Sequence, residues 1–192
     1  MTRNALAIIT LLALLPALHG CFLPVVAAGA GAGVLVAEDR RSTGTMIDDK
    51  SIQSKASRRI NEKYNTDDIH VDVTSYNRFI LLVGEVPSQQ VKDDMGAIAL
   101  GVENARNIQN ELVVGPVTST GTRANDAYLT TKVKGRFVSE NKFKPNVVKV
   151  VTENGAVYLM GLVTKAEGDA AAEIASSTTD VVRVVKVFEY TG

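Results

Sequence analysis

Leu81-Leu82-Val83-Gly84-Glu85-Val86 and Tyr158-Leu159-Met160-Gly161-Leu162-Val163 repeat one apolar strand pattern, each broken by a glycine at the same place. The two stretches lie 77 residues apart, and that offset carries into their flanks without a gap. Ile52 falls on Leu129, Lys55 on Lys132, Arg59 on Arg136, Ile60 on Phe137, Val71 on Val148, Val73 on Val150 and Asn77 on Asn154, and later Arg106 falls on Arg183 and Ile108 on Val185. A fixed-period match of this length means two copies of one unit. Each copy spans roughly 65 residues, large enough to fold alone.

Periodicity gives the order of elements within a copy. Ile52, Ala56, Ile60 and Tyr64 recur every fourth residue, as do Leu129, Val133 and Phe137, so each copy is expected to open with an amphipathic helix. Asp49 and Asp126 are the expected helix caps. Alternation at Ile69, Val71 and Val73, and at Val148 and Val150, marks a half-buried strand. Asn154-Gly155 then predicts a tight hairpin turn, because both residues tolerate positive φ. Ala-rich helices are expected over 87–101 and 165–177, and closing strands over 107–113 and 181–190. The fold class is therefore α+β, two tandem α-β-β-α-β units, each a small mixed sheet packed on two helices. The expected boundaries are 48–115 and 126–192, with a linker over 116–125.

The first residues read as an address. Arg3 is the only charge before an apolar run from Ala5 to Leu18, 14 residues long and short of the ~20 needed to cross a bilayer. Residues 1–20 are read as a signal peptide, and Leu18-His19-Gly20-Cys21 as a lipobox in which Cys21, the single cysteine of the chain, is the lipidation site. A buried structural cysteine and an uncleaved membrane helix are the alternatives, and Pro16 and Pro24 oppose the second. Phe22, rather than an aspartate, follows the cysteine, which favours passage to the outer membrane. Residues 21–47 become a lipidated tether, and Gly29-Ala30-Gly31-Ala32-Gly33 lacks the spacing of a phosphate-binding loop.

Little in the chain suggests catalysis. His19 leaves with the leader, and His70 lies between Ile69 and Val71 on a strand, pointing to the face opposite the core, where a solvated position is expected. No cofactor or metal is called for, and Asp67-Asp68 and Asp93-Asp94 read as solvated surface carboxylates. The net charge is zero, so no global basic bias points to nucleic acid. Local bias does exist. From Asp126 to Lys144 there are five basic residues (Lys132, Lys134, Arg136, Lys142, Lys144) against two acidic ones (Asp126, Glu140). With Leu129, Val133 and Phe137 on the core stripe, Tyr128, Lys132 and Gly135 fall together on the far side at ~100° per residue, with Val138 also outward. A ring beside lysines suits a membrane interface, the ring at headgroup depth and the ammonium groups on phosphates. A solvated helix face is the plainer alternative. The first copy has Ser51 and Arg58 where the second has Tyr128 and Gly135.

The element order, with a glycine closing the second strand and a Val-rich last strand, resembles the BON domain of bacterial envelope proteins. The lipobox, the Gly/Ala tether, Asp39-Arg40-Arg41-Ser42-Thr43-Gly44-Thr45, Thr130-Thr131-Lys132-Val133 and Thr152-Glu153-Asn154-Gly155 are together similar to the dual-BON outer-membrane lipoproteins of the DolP family. That resemblance implies a non-enzymatic protein facing the periplasm that binds phosphatidylglycerol or cardiolipin through the first helix of its second BON domain. It implies support of envelope integrity and enrichment at the division site. The site carried over to that helix comprises Tyr128, Leu129, Lys132, Val133, Gly135, Arg136 and Val138. The competing expectation is an adaptor for barrel-assembly or division proteins such as regulators of peptidoglycan amidases, with the first domain or the open sheet faces as contact surface.

Overall fold

In a computed structural model of the chain, residues 39–64 and 67–192 are described. The leader, Cys21 and the glycine-rich tether lie outside the described residues. Helix α1 spans Thr43–Lys63, followed by strands β1 (His70–Tyr76) and β2 (Phe79–Val86), helix α2 (Gln89–Leu100) and short strands β3 (Asn107–Asn110) and β4 (Val113–Val114). The second repeat follows the same order with α3 (Thr120–Glu140), β5 (Val148–Glu153), β6 (Ala156–Val163), α4 (Lys165–Ser176) and β7 (Arg183–Tyr190). In each sheet the middle strand pairs antiparallel with the first and parallel with the last, so both sheets are mixed. The α-β-β-α-β order read from the sequence is the one observed, except that the closing strand expected over 107–113 is split into β3 and β4, both parallel to β2.

The long helices open earlier than expected, and their caps are not aspartates. Ser42 accepts from the Thr45 N–H and Ser119 from the Thr122 N–H, each at 3.1 Å. Ser-Thr-Gly-Thr occurs at both places, so α1 and α3 reach into the stretches read as tether and linker. Asp49 and Asp126 sit inside the helices and are buried. Their carboxylates hold the hairpin turns instead. Asp126 accepts from the N–H groups of Asn154 and Gly155 at 2.9 and 2.8 Å, and Asp49 from those of Asn77 and Arg78 at 2.8 and 2.6 Å. All four turn residues have positive φ, the hairpin geometry expected of Asn-Gly.

The repeat is not gapless. Val86 and Val163, 77 residues apart, both end the middle strand, but the cap residues of the next helices, Ser88 and Thr164, are 76 apart. Pro87 is the extra residue. The closing strands keep the shorter offset: Ile108 pairs with Ile80 as Val184 pairs with Val157. Arg106 therefore corresponds to Val182, not to Arg183; each donates its N–H to the second turn residue, Arg78 or Gly155, at 2.9 Å.

Among the described residues three apolar clusters hold the fold. One lies between sheet and helices of the first repeat, including Ile52, Ile60, Ile80, Leu82 and Met95, and one occupies the same place in the second, including Val133, Phe137, Leu159 and Ile174. The third joins the sheets by their other faces, with Tyr76, Leu81 and Val83 against Val151, Tyr158 and Met160. The open sheet faces expected as an adaptor surface are thus covered by each other. The segment before α1 crosses this seam. Arg41 stacks on the Tyr76 ring at 3.9 Å and donates to Asp49 at 2.8 Å, while Arg40 donates to both oxygens of Glu167 on α4.

Candidate functional site

Helix α3 divides the expected site residues into two sets. Leu129, Val133 and Phe137 are fully buried, which fixes the rotation of the helix on its sheet. Leu129 and Val133 are therefore core residues and cannot meet a bilayer in this fold. Arg136 is also committed: Nη1 donates to the Ile174 carbonyl at 2.9 Å and to the Ser177 and Thr178 hydroxyls, and Nη2 donates to Glu140 at 2.6 Å. It satisfies a carbonyl at the end of α4, a cation in the place where the helix dipole favours one.

Tyr128, Lys132, Gly135 and Val138 remain outside. Tyr128 is 59 % exposed and Val138 65 %, and a Cβ on Gly135 would meet nothing within 4 Å. The Lys132 ammonium lies 5.8 Å from the Tyr128 ring centroid, within cation–π range. It also donates to the Thr179 carbonyl at 3.1 Å and to Asp180 at 3.4 Å. The result is an apolar ring and a cation side by side on a rigid helix, where a planar anionic surface can touch both at once. In the first repeat the equivalent positions hold Ser51, Lys55, Arg58 and Asn61, so the cation is kept and the ring and the valine are not.

His70 is not in open solvent. Its Nε2 lies 4.0 Å from the Glu153 carboxylate across the seam. Burial, with the carboxylates of Glu85, Asp126 and Asp72 nearby, pushes the Glu153 carboxyl up to about 7. Sequence reasoning missed Glu153 because its burial arises from the packing of one sheet on the other. The aspartate pairs are surface groups: Asp67, Asp68 and Asp93 are exposed, and Asp94 accepts from Lys63 and Tyr64 at 2.6 Å each. Among the described residues no helix is long and apolar enough to cross a membrane.

The family model of the BON domain matches residues 48–116 and 125–192. The chain belongs to the BON-domain family and carries the domain twice. It is 41 % identical over 174 residues to the outer membrane lipoprotein DolP of Haemophilus influenzae, covering 90 % of each chain. It is 32 % identical to a 21 kDa hemolysin of Actinobacillus pleuropneumoniae, over 79 % of each chain. With the osmotically-inducible protein Y of Escherichia coli it shares 27 % identity, over 81 % of this chain and 78 % of that one.

Proposed function

We propose that the protein is an outer-membrane lipoprotein, anchored through Cys21, whose α3 face binds anionic phospholipid at the periplasmic surface of that membrane and supports its integrity, with enrichment at the division site. It works by binding rather than catalysis. The observation that carries the reading is the exposed Tyr128 ring beside the Lys132 ammonium, on a helix whose opposite stripe is buried. Likeness to DolP supports the compartment. Phosphatidylglycerol and cardiolipin supply the phosphates the cations need, and each cation near such a surface adds ~1 kcal/mol.

The test uses a chain beginning at Val36, which keeps every described residue and with them the three apolar clusters. Tyr128→Glu places a charge where the ring would enter the interface, and should abolish binding to phosphatidylglycerol vesicles without changing the melting temperature. Ser51→Glu, its counterpart in the first repeat, should leave binding intact. Wild-type binding by a folded Tyr128→Glu protein would move the function away from this helix.

A further inference from the structure

We infer that the loop from Thr179 to Val182 is the second half of the lipid face: Val182 enters the interface beside Tyr128, and Asp180 is the counter-ion that lipid phosphate displaces from Lys132. The inference rests on the proposed binding of anionic lipid by α3.

Lys132 links the loop to the helix. Its ammonium lies within cation–π range of the Tyr128 ring and donates to the Thr179 carbonyl and the Asp180 carboxylate. Arg136 pins the start of the loop through Thr178, and the Val182 N–H is bound to the Gly155 carbonyl at 2.9 Å. Val182 is nevertheless 77 % exposed, the highest value among the large apolar side chains described. A pinned backbone with an exposed apolar side chain orders no new chain on binding, so little conformational entropy opposes insertion.

The first repeat supplies the control. With Pro87 accounted for, Val182 corresponds to Arg106, and Asp180 to Asn104, which share the left-handed backbone at φ 76° and 69°. Asparagine suits that backbone at least as well as aspartate, so the fold does not require a carboxylate at 180. Tyr128, beside the lysine, stands where the first repeat has Ser51, and Val182, two residues after Asp180, stands where it has Arg106. Both become apolar in the same repeat. The Lys132–Asp180 pair is a surface pair, with the aspartate side chain 60 % exposed, and such pairs exchange partners at little cost. Near a negative surface the carboxylate is repelled while the ammonium is attracted, which drives the exchange towards phosphate.

The experiment compares Asp180→Asn, Val182→Ser and Tyr128→Glu in the chain beginning at Val36, on phosphatidylglycerol and phosphatidylcholine vesicles. Asp180→Asn should tighten binding to phosphatidylglycerol about fivefold, an effect that shrinks with added salt and is absent on phosphatidylcholine. Val182→Ser should weaken binding about fivefold. The chain has no tryptophan, so Val182→Trp gives a single reporter whose emission should shift to the blue on phosphatidylglycerol vesicles. If Tyr128→Glu abolishes binding while Asp180→Asn and Val182→Ser bind like wild type and the tryptophan does not shift, the loop is outside the face and this inference alone falls. If Tyr128→Glu binds like wild type, the lipid reading and this inference fall together.

Discussion

The two ends of the seam between the sheets are built from equivalent positions with opposite chemistry. At one end Tyr76 meets the carbonyl of Val147 at 3.5 Å and lies under Arg41. At the other end the position equivalent to Tyr76 is Glu153 and the one equivalent to Val147 is His70, whose imidazole lies 4.0 Å from that carboxylate. Equivalent strand positions thus bury a clasped aromatic ring in one place and a carboxyl cluster in the other. Duplication sets the backbone, and each copy is then free to spend a position differently. The first repeat gives its outer edge to the tether, through Asp49 and Arg41. The second leaves Asp126 with the turn and keeps its outer helix face clear.

Glycine is the sharpest place to break the equivalence. A Cβ on Gly84 would lie 2.1 Å from the His70 carbonyl oxygen, at a φ of +124°. On Gly161 it would lie 2.4 Å from the equivalent oxygen of Val147, without a positive φ. Both contacts are backbone and cannot rotate away. Gly84→Val should therefore cost about 3–5 kcal/mol and Gly161→Val about 2–4 kcal/mol, the first carrying strain as well as a clash. Denaturant titration measures both, and equal losses would mean that the left-handed backbone at Gly84 adds nothing.

The polar end of the seam predicts a pH dependence. Glu153 Oε1 accepts no hydrogen bond among the described residues, and the side chain is 11 % exposed. Burial and the facing carboxylates of Glu85, Asp126 and Asp72 raise its carboxyl to about 7, with His70 4.0 Å away. A group that holds its proton more tightly when folded contributes stability below its unfolded value near 4.5. That contribution is lost as pH rises towards 7. Glu153→Gln should remove this slope and raise stability by about 1–3 kcal/mol at pH 8, read by melting across the range. An unchanged slope would move the titration to another group. Tyr76→Phe at the apolar end should leave the slope alone.

The element order, the hairpin and the split of α3 into a buried stripe and an outer edge were legible in the sequence, because each depends on local periodicity. The caps were legible too, in the duplicated Ser-Thr-Gly-Thr, but the aspartates sit nearer the apolar pattern and drew the assignment. Pro87 was harder to detect. Arg106 and Arg183 match by identity at the wrong offset, and only strand pairing reveals the shift. With that offset Val182 faces Ala105 and looks unremarkable. Arg136 and Glu153 lay beyond reach for another reason: their partners come from α4 and from the opposite sheet, and no local pattern records such contacts.

The smallest effect separates the strands' partner helices. Glu167 closes a capping box with Thr164 on α4 and accepts hydrogen bonds from Nη1 and Nη2 of Arg40, at 2.7 and 2.8 Å. Its equivalent on α2 is Val91, so only the second repeat can hold the tether this way. Arg40, then the Thr164 N–H and hydroxyl, pull the Glu167 carboxyl down to about 2. The sign is opposite to that of Glu153: the stability is present above the unfolded value near 4.5 and is lost as pH falls towards 2. Because the pair is partly solvated, Arg40→Ala should cost below about 1 kcal/mol at neutral pH. The clearer readout is the titration of the Glu167 carboxyl by NMR, which should move up towards the ordinary carboxylate range in Arg40→Ala. If Glu167 still titrates near 2 there, the capping box alone holds the proton off, and the tether is not clasped to α4.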